Sequence, residues 1–187
     1  MNFQTEIPTS AVLGPALVGF ALVALARHRR DAPGWRGAPL ALRCTTALYA
    51  AAVASITFFP LWIYGGMYRN QAAWYGQIQP IPLLMADITM LPNVILFLPL
   101  GFLLPLLRPH TGLRGTAMAS ALISLSVEVL QMLQYIVLGN GRAVDVNDLI
   151  ANTLGGLLGY GVLRVAHRST AMRAVLEKAA PSARTVA

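Results

Sequence analysis

Charge is what this 187-residue sequence has least of. Only 11% of its residues are Asp, Glu, Lys or Arg, against about a quarter in a soluble domain. With 56% of the chain hydrophobic and a mean hydropathy of +0.60, a water-facing globule is excluded. Cys44 is the single cysteine, which excludes an internal disulfide and any thiolate cluster at metal-ligand spacing. His28, His110 and His167 are the only histidines, and in the orientation derived below all three fall on the cytoplasmic side, away from the candidate site, so no His-based catalysis is expected. Low-complexity tracts and clear internal repeats are also missing.

Basic residues are in excess, with a formal net charge of +7. Their placement argues against a nucleic-acid partner, because they sit in short loops between apolar runs. The partner that composition implies is the lipid bilayer. Runs of about 20 apolar residues read as membrane spans, and backbone groups in hydrocarbon must satisfy one another, which for runs this long means helices. The expected fold is all-α: a polytopic membrane helical bundle of about five transmembrane helices in one domain covering residues 1–187. The spans fall at about 8–26, 42–64, 88–107, 116–138 and 148–166. The first run is read as an uncleaved span, since "MNFQTE" carries no basic residue and "RHRR" follows the run instead of preceding it.

Orientation follows from the Lys and Arg residues. With the N-terminus outside and the C-terminus cytoplasmic, Arg27, Arg29, Arg30, Arg36, Arg43, Arg108, Arg114, Arg164, Arg168, Arg173, Lys178 and Arg184 lie inside, and only Arg69 and Arg142 outside. Trp62, Tyr64, Trp74 and Tyr75 would then form an interfacial aromatic belt at the outer face. The cytoplasmic tail, 168–187, is expected to hold a short interfacial helix able to meet anionic lipid through Arg173 and Lys178.

Against this apolar background one acid stands out. Glu128 lies within "TAMASALISLSVEVLQMLQYIVL" (116–138), which has no other formal charge. An acid at a span centre costs about 2.5–3.5 kcal/mol on insertion scales, so it should face protein or water. Either it stays protonated or it meets a cation or hydrogen-bond donors. At 100° per residue Ser120, Ser124, Glu128, Gln131 and Tyr135 share one face. In "GRAVDVNDLIANTLGGLLGYG", a helix starting near Val144 would likewise align Asp145, Asp148, Asn152, Gly155 and Gly159. The two glycines suit close helix packing. Depth brings the stripes together: Glu128 falls about 15 Å and Gln131 about 10 Å below the outer end of its span, and Asn152 about 6 Å below Asp148. Asn93 enters beside Pro92, in a helix that Pro99, Gly101 and Pro105 are expected to kink. The expected convergence is a polar cleft in the outer half of the membrane, with Arg142 above it. Each residue also has a plainer reading. Asn93, Gln131 and Asn152 could be interhelical hydrogen-bond glue. Asp145 or Asp148 could cap the fifth helix, and Arg142 could pair with either.

The pieces "PNVILFLPLGFLLPLL", "SLSVEVLQMLQ" and "GRAVDVNDLIANTLGGLLGYG", with "QPIPLL" upstream, resemble the VanZ-like family of small bacterial membrane proteins over about residues 79–161. The stretch between "QPIPLL" and Asn93 is shorter here than in members with a longer linker. The resemblance places Asn93, Glu128, Gln131, Arg142, Asp145, Asp148 and Asn152 at the family's motif positions. It implies an α-helical bundle in the bacterial plasma membrane and a link to the cell envelope, the family's founder being associated with resistance to the antibiotic teicoplanin.

Three readings of function stay open. In the first, the cleft binds or modifies a lipid-linked or phosphate-bearing envelope precursor. Glu128, Asp148 and Arg142 are then the catalytic candidates. Glu128 acts as general acid or base, and Arg142 grips phosphate through its planar fork. Asn93, Gln131, Asp145 and Asn152 join Arg142 in binding substrate, and Asp145 with Asp148 could instead hold a divalent metal. In the second reading Glu128 couples protons to transport or lipid translocation, with a homo-oligomer supplying the internal symmetry that one chain lacks. In the third the protein is a non-catalytic membrane scaffold.

Overall fold

A computed structural model describes residues 1–82, 90–140 and 144–180. The chain begins with a strand, β1 (Phe3–Ile7), and then the helices α1 (Thr9–Arg29) and α2 (Gly37–Phe58). Strand β2 (Leu61–Gly65), two 3₁₀ turns at Gly66–Tyr68 and Trp74–Gln77, and the short β3 (Ile78–Gln79) follow. Helices α3 (Leu91–Leu107) and α4 (Leu113–Leu138), strand β4 (Val144–Asp145), α5 (Val146–Ala166) and α6 (Thr170–Ala179) complete it. The protein is a helical bundle. Helices α1, α2, α4 and α5 are long and apolar enough to cross a membrane. Helix α3 is apolar and has 17 residues, about 25 Å at 1.5 Å per residue, which is the short end of the spanning range.

The expected second span, 42–64, is corrected in two places. The helix begins earlier, at Gly37, and stops at Phe58. Pro60 cannot donate to the helical ladder and pushes the residue before it out of the helical region. Phe59 accordingly adopts φ −111° and ψ 158°. The chain beyond it is strand: β2 pairs antiparallel with β1, from Phe3 opposite Gly65 to Ile7 opposite Leu61. Trp62 and Tyr64 of the expected aromatic belt sit on β2, with ring centroids 6.2 Å apart. The other helix limits move by a few residues. Helix α3 runs without a break through Pro99 and Pro105.

Connectivity gives the bundle two distinct ends. One holds β1, β2, the 3₁₀ turns and the parallel pair β3–β4. The other holds the "RHRR" loop, the α3–α4 turn and α6. There Leu42, Leu103, Leu106, Leu163 and Leu176 form a hydrophobic cluster that ties α6 to α2, α3 and α5. Helix α4 ends at Gly139, whose φ of +71° closes the helix in the left-handed region that costs glycine little.

The tightest helix contact lies between α3 and α5. A methyl group at Gly155 would collide with the Val94 carbonyl, one at Gly159 with the Leu98 carbonyl, and one at Gly101 with the Gly156 carbonyl. The contact advances four residues on each helix, so α3 and α5 lie side by side in the same direction. Small residues permit this backbone approach, and in lipid such packing is a main source of helix association. Gly159→Val is therefore expected to destabilise the bundle by about 1–3 kcal/mol or more through overpacking. Gly161→Ala, at a position with open space around it, should leave the thermal midpoint in detergent unchanged or slightly raised.

Candidate functional site

The buried polar stripe of α4 runs nearly its whole length: Thr116, Ser120, Ser124, Glu128, Gln131 and Tyr135 are all buried. Opposite it stand the first two turns of α5. Glu128, with 4% of its surface exposed, accepts a hydrogen bond at Oε2 from the backbone N–H of Asp145, 3.2 Å away. Asp145 is the N-cap of α5, and its Oδ1 accepts from the N–H of Asn147 at 2.8 Å. The mid-span acid therefore meets the N-terminus of a helix, where unpaired N–H groups and the helix dipole favour negative charge. Asp145 and Asp148 are near enough for their charges to act on Glu128.

Neighbouring helices complete the arrangement. Asn93, in the first turn of α3, donates through Nδ2 to Asp148 Oδ1. Asn152, one turn further along α5, donates through Nδ2 to Ser124 Oγ at 2.9 Å. Its own Oδ1 is buried and unpartnered among the described residues, as is Ser120 Oγ. Asn93, Glu128, Asp145, Asp148 and Asn152 are thus brought together where α3, α4 and α5 meet. Gln131 is directed elsewhere. Its Nε2 donates to the Thr57 carbonyl at 3.1 Å, one of the last carbonyls of α2. Arg142 lies outside the described residues.

Two details depart from the sequence expectation. Asp145 stands just outside the helix as its cap, so it does not share the helical face of Asp148 and Asn152. Helix α5 also uses two faces: Gly155 and Gly159 meet α3, and Asn152 and Gly156 meet Ser124 and Ser120 of α4. Sequence reasoning missed Thr57, Asn147 and Tyr49. Asn147 is buried beside the cap, Tyr49 donates to the Leu96 carbonyl at 2.7 Å, and Thr57 supplies the carbonyl for Gln131. Only Asn147 carried a signal, as a third polar residue in "DVND".

With this geometry in hand, comparison with known proteins is informative. The sequence model of the VanZ/LLP1 family matches residues 46–167, about two thirds of the chain. The chain belongs to that family. No curated protein and no solved structure matches it. The VanZ/LLP1 match opens within α2 and closes just after α5, so the shared unit is the four-helix core that carries Glu128, with α1 and α6 outside it. Membership also fixes the setting as a membrane.

Chemically, the described part of this VanZ/LLP1 site offers carboxylates, carboxamides and hydroxyls. No Lys or Arg among the described residues forms an ion pair with Glu128, Asp145 or Asp148, and no group of three His, Cys, Asp or Glu is placed to hold a metal ion. Carboxamides and hydroxyls donate and accept hydrogen bonds, and carboxylates accept them. Removing one partner of a buried polar pair leaves the other unsatisfied at about 1–3 kcal/mol. Asn93→Leu should destabilise the protein by that amount, and Asn93→Leu combined with Asp148→Leu should recover most of it. Denaturation midpoints of the wild type, Asn93→Leu, Asp148→Leu and the double variant in one detergent check the cycle.

Proposed function

We propose that this VanZ/LLP1 membrane protein acts in the bacterial cell envelope, binding or modifying a lipid-linked, phosphate-bearing envelope component in the cleft at the N-terminal ends of α3 and α5. The observation that carries this reading is the buried Glu128 held by the N-cap of α5. A carboxylate kept inside a span at a solvation cost is a functional feature by default. Its surroundings supply amide groups that can orient a substrate and a helix N-terminus suited to an anion. Glu128 is the group that exchanges a proton, as general acid or base. Asp148, oriented by Asn93, and the cap residue Asp145 stand beside it, and Asn152 offers an acceptor, unpartnered among the described residues, to a substrate hydroxyl or amide. Arg142, three residues before the cap in sequence, is the cation assigned to the phosphate. The cleft faces outward by the distribution of basic residues, the bundle resides in the plasma membrane, and tolerance to teicoplanin-type glycopeptides is the phenotype expected of its action.

A second reading, proton-coupled transport or lipid translocation, is favoured by one observation. The polar stripe of α4 extends beyond the cleft to Ser120 and Thr116, toward the other end of the bundle, as a path for protons would.

Glu128→Gln keeps shape and hydrogen-bonding capacity but removes titration. In a glycopeptide-sensitised host it is expected to abolish the tolerance that the wild-type protein confers, with unchanged amounts in the membrane. Full tolerance from Glu128→Gln would overturn both ionisation-based readings and leave a scaffold. Mass spectrometry of envelope lipids after incubation with the purified protein in vesicles then divides the first two. A changed precursor mass indicates chemistry, and an unchanged mass with movement between leaflets indicates translocation.

A further inference from the structure

At the end of the bundle opposite to β1–β2, the last turns of α3 and α5 and the helix α6 enclose a concavity of about 560 Å³. Its floor is apolar, built on Leu106, Leu163 and Leu176, all buried. Its rim is basic, with Arg164, His167, Arg168 and Arg173 set against a single acid, Glu177. Arg173 is already engaged, its Nε donating to Glu177 Oε1 at 2.7 Å. Arg164, in the last turn of α5, and Arg168, in the turn between α5 and α6, form no ion pair among the described residues. His167 Nδ1 lies 3.0 Å from the Leu163 carbonyl, which leaves Nε2 for another partner.

We propose that this concavity is a binding site for an anionic phospholipid, with the phosphate between Arg164 and Arg168 and the acyl region on the leucine floor. Guanidinium groups pair with phosphate oxygens through parallel N–H bonds. The apolar floor favours a phosphate that arrives on a lipid over a free one. Helix α6 presents Met172 and Val175 outward beside its charges, as a helix lying in the membrane interface does. The positive-inside rule accounts for arginines at this end but not for their convergence on a pocket with an apolar base. The site draws Arg168, Arg173 and Glu177 from beyond the residues matched by the VanZ/LLP1 family, and Arg164, Leu106 and Leu163 from within them. It does not depend on the role given to Glu128.

The test uses full-length protein in nanodiscs of phosphatidylcholine, with and without phosphatidylglycerol. Ligand that binds only the folded state raises the melting temperature. Phosphatidylglycerol should raise it for the wild type and for Arg27→Gln/Arg29→Gln, whose arginines lie at the same end outside the pocket. It should have little effect on Arg164→Gln/Arg168→Gln, for which lipid affinity is expected to fall about tenfold or more. Equal loss in both pairs, or no rise in the wild type, would overturn the proposal. So would an equal rise produced by inorganic phosphate in pure phosphatidylcholine, which would mark a soluble-anion site. Native mass spectrometry of the wild type is independent of any variant's folding: retention of phosphatidylglycerol over phosphatidylcholine supports the site, and equal retention refutes it.

Discussion

A carboxylate inside an apolar bundle must be met by donors, and in this protein the donor at Glu128 is a helix terminus. Helix α4 carries the acid near its middle, and α5 begins level with it, so that the N–H of the cap residue reaches Oε2. Ten residues of α4 lie beyond Glu128, about 15 Å of helix, and the chain returns over that distance before α5 starts. The return is anchored by β4, which pairs with β3 through Ile78 opposite Val144 and Gln79 opposite Asp145. The segment between α2 and α3 therefore helps to set the depth at which α5 begins. Local strand pairing at one end of the molecule thus helps to place the N–H that meets Glu128.

Glycine contacts fix the same site from the other side. With no side chain at Gly155 and Gly159, α3 comes close enough for Asn93 to reach Asp148. Ser120 and Ser124 of α4 are small for the corresponding reason, the first packing against Gly156 and the second bonding Asn152. Helix packing and polar geometry are coupled here. The small residues that let the helices associate also bring the polar groups of three helices to one point.

Much of this was legible in the sequence. Five apolar runs gave the helices, the 100° periodicity gave the stripe on α4, and the glycine spacing gave the packing face of α5. Hydropathy could not show that "FFPLWIY" passes from helix to strand, because both are apolar there. Nor could it show that β2 pairs with β1, more than fifty residues away in the chain. The polar partners were harder for a different reason. Reasoning from side chains seeks a cation for Glu128 and another polar side chain for Gln131. The partners found are the backbone N–H of Asp145 and the backbone carbonyl of Thr57, which every residue possesses and no sequence pattern marks. Asp145 was read both as a member of the helical face and as a cap, and the cap is what it forms.

The central claim is that the polar face of α4 is turned into the bundle, in register with the start of α5. In a Cys44→Ser background, Ser124→Cys paired with Asn152→Cys tests it most directly, since these side chains are in hydrogen-bond contact. Mild oxidation or bifunctional mercury should cross-link that pair in membranes. It should fail with Leu125→Cys and Asn152→Cys, because Leu125 points out of the bundle. Cross-linking of the Leu125 pair in preference to the Ser124 pair would contradict the account, for it would rotate the polar face of α4 about 100° away from the start of α5.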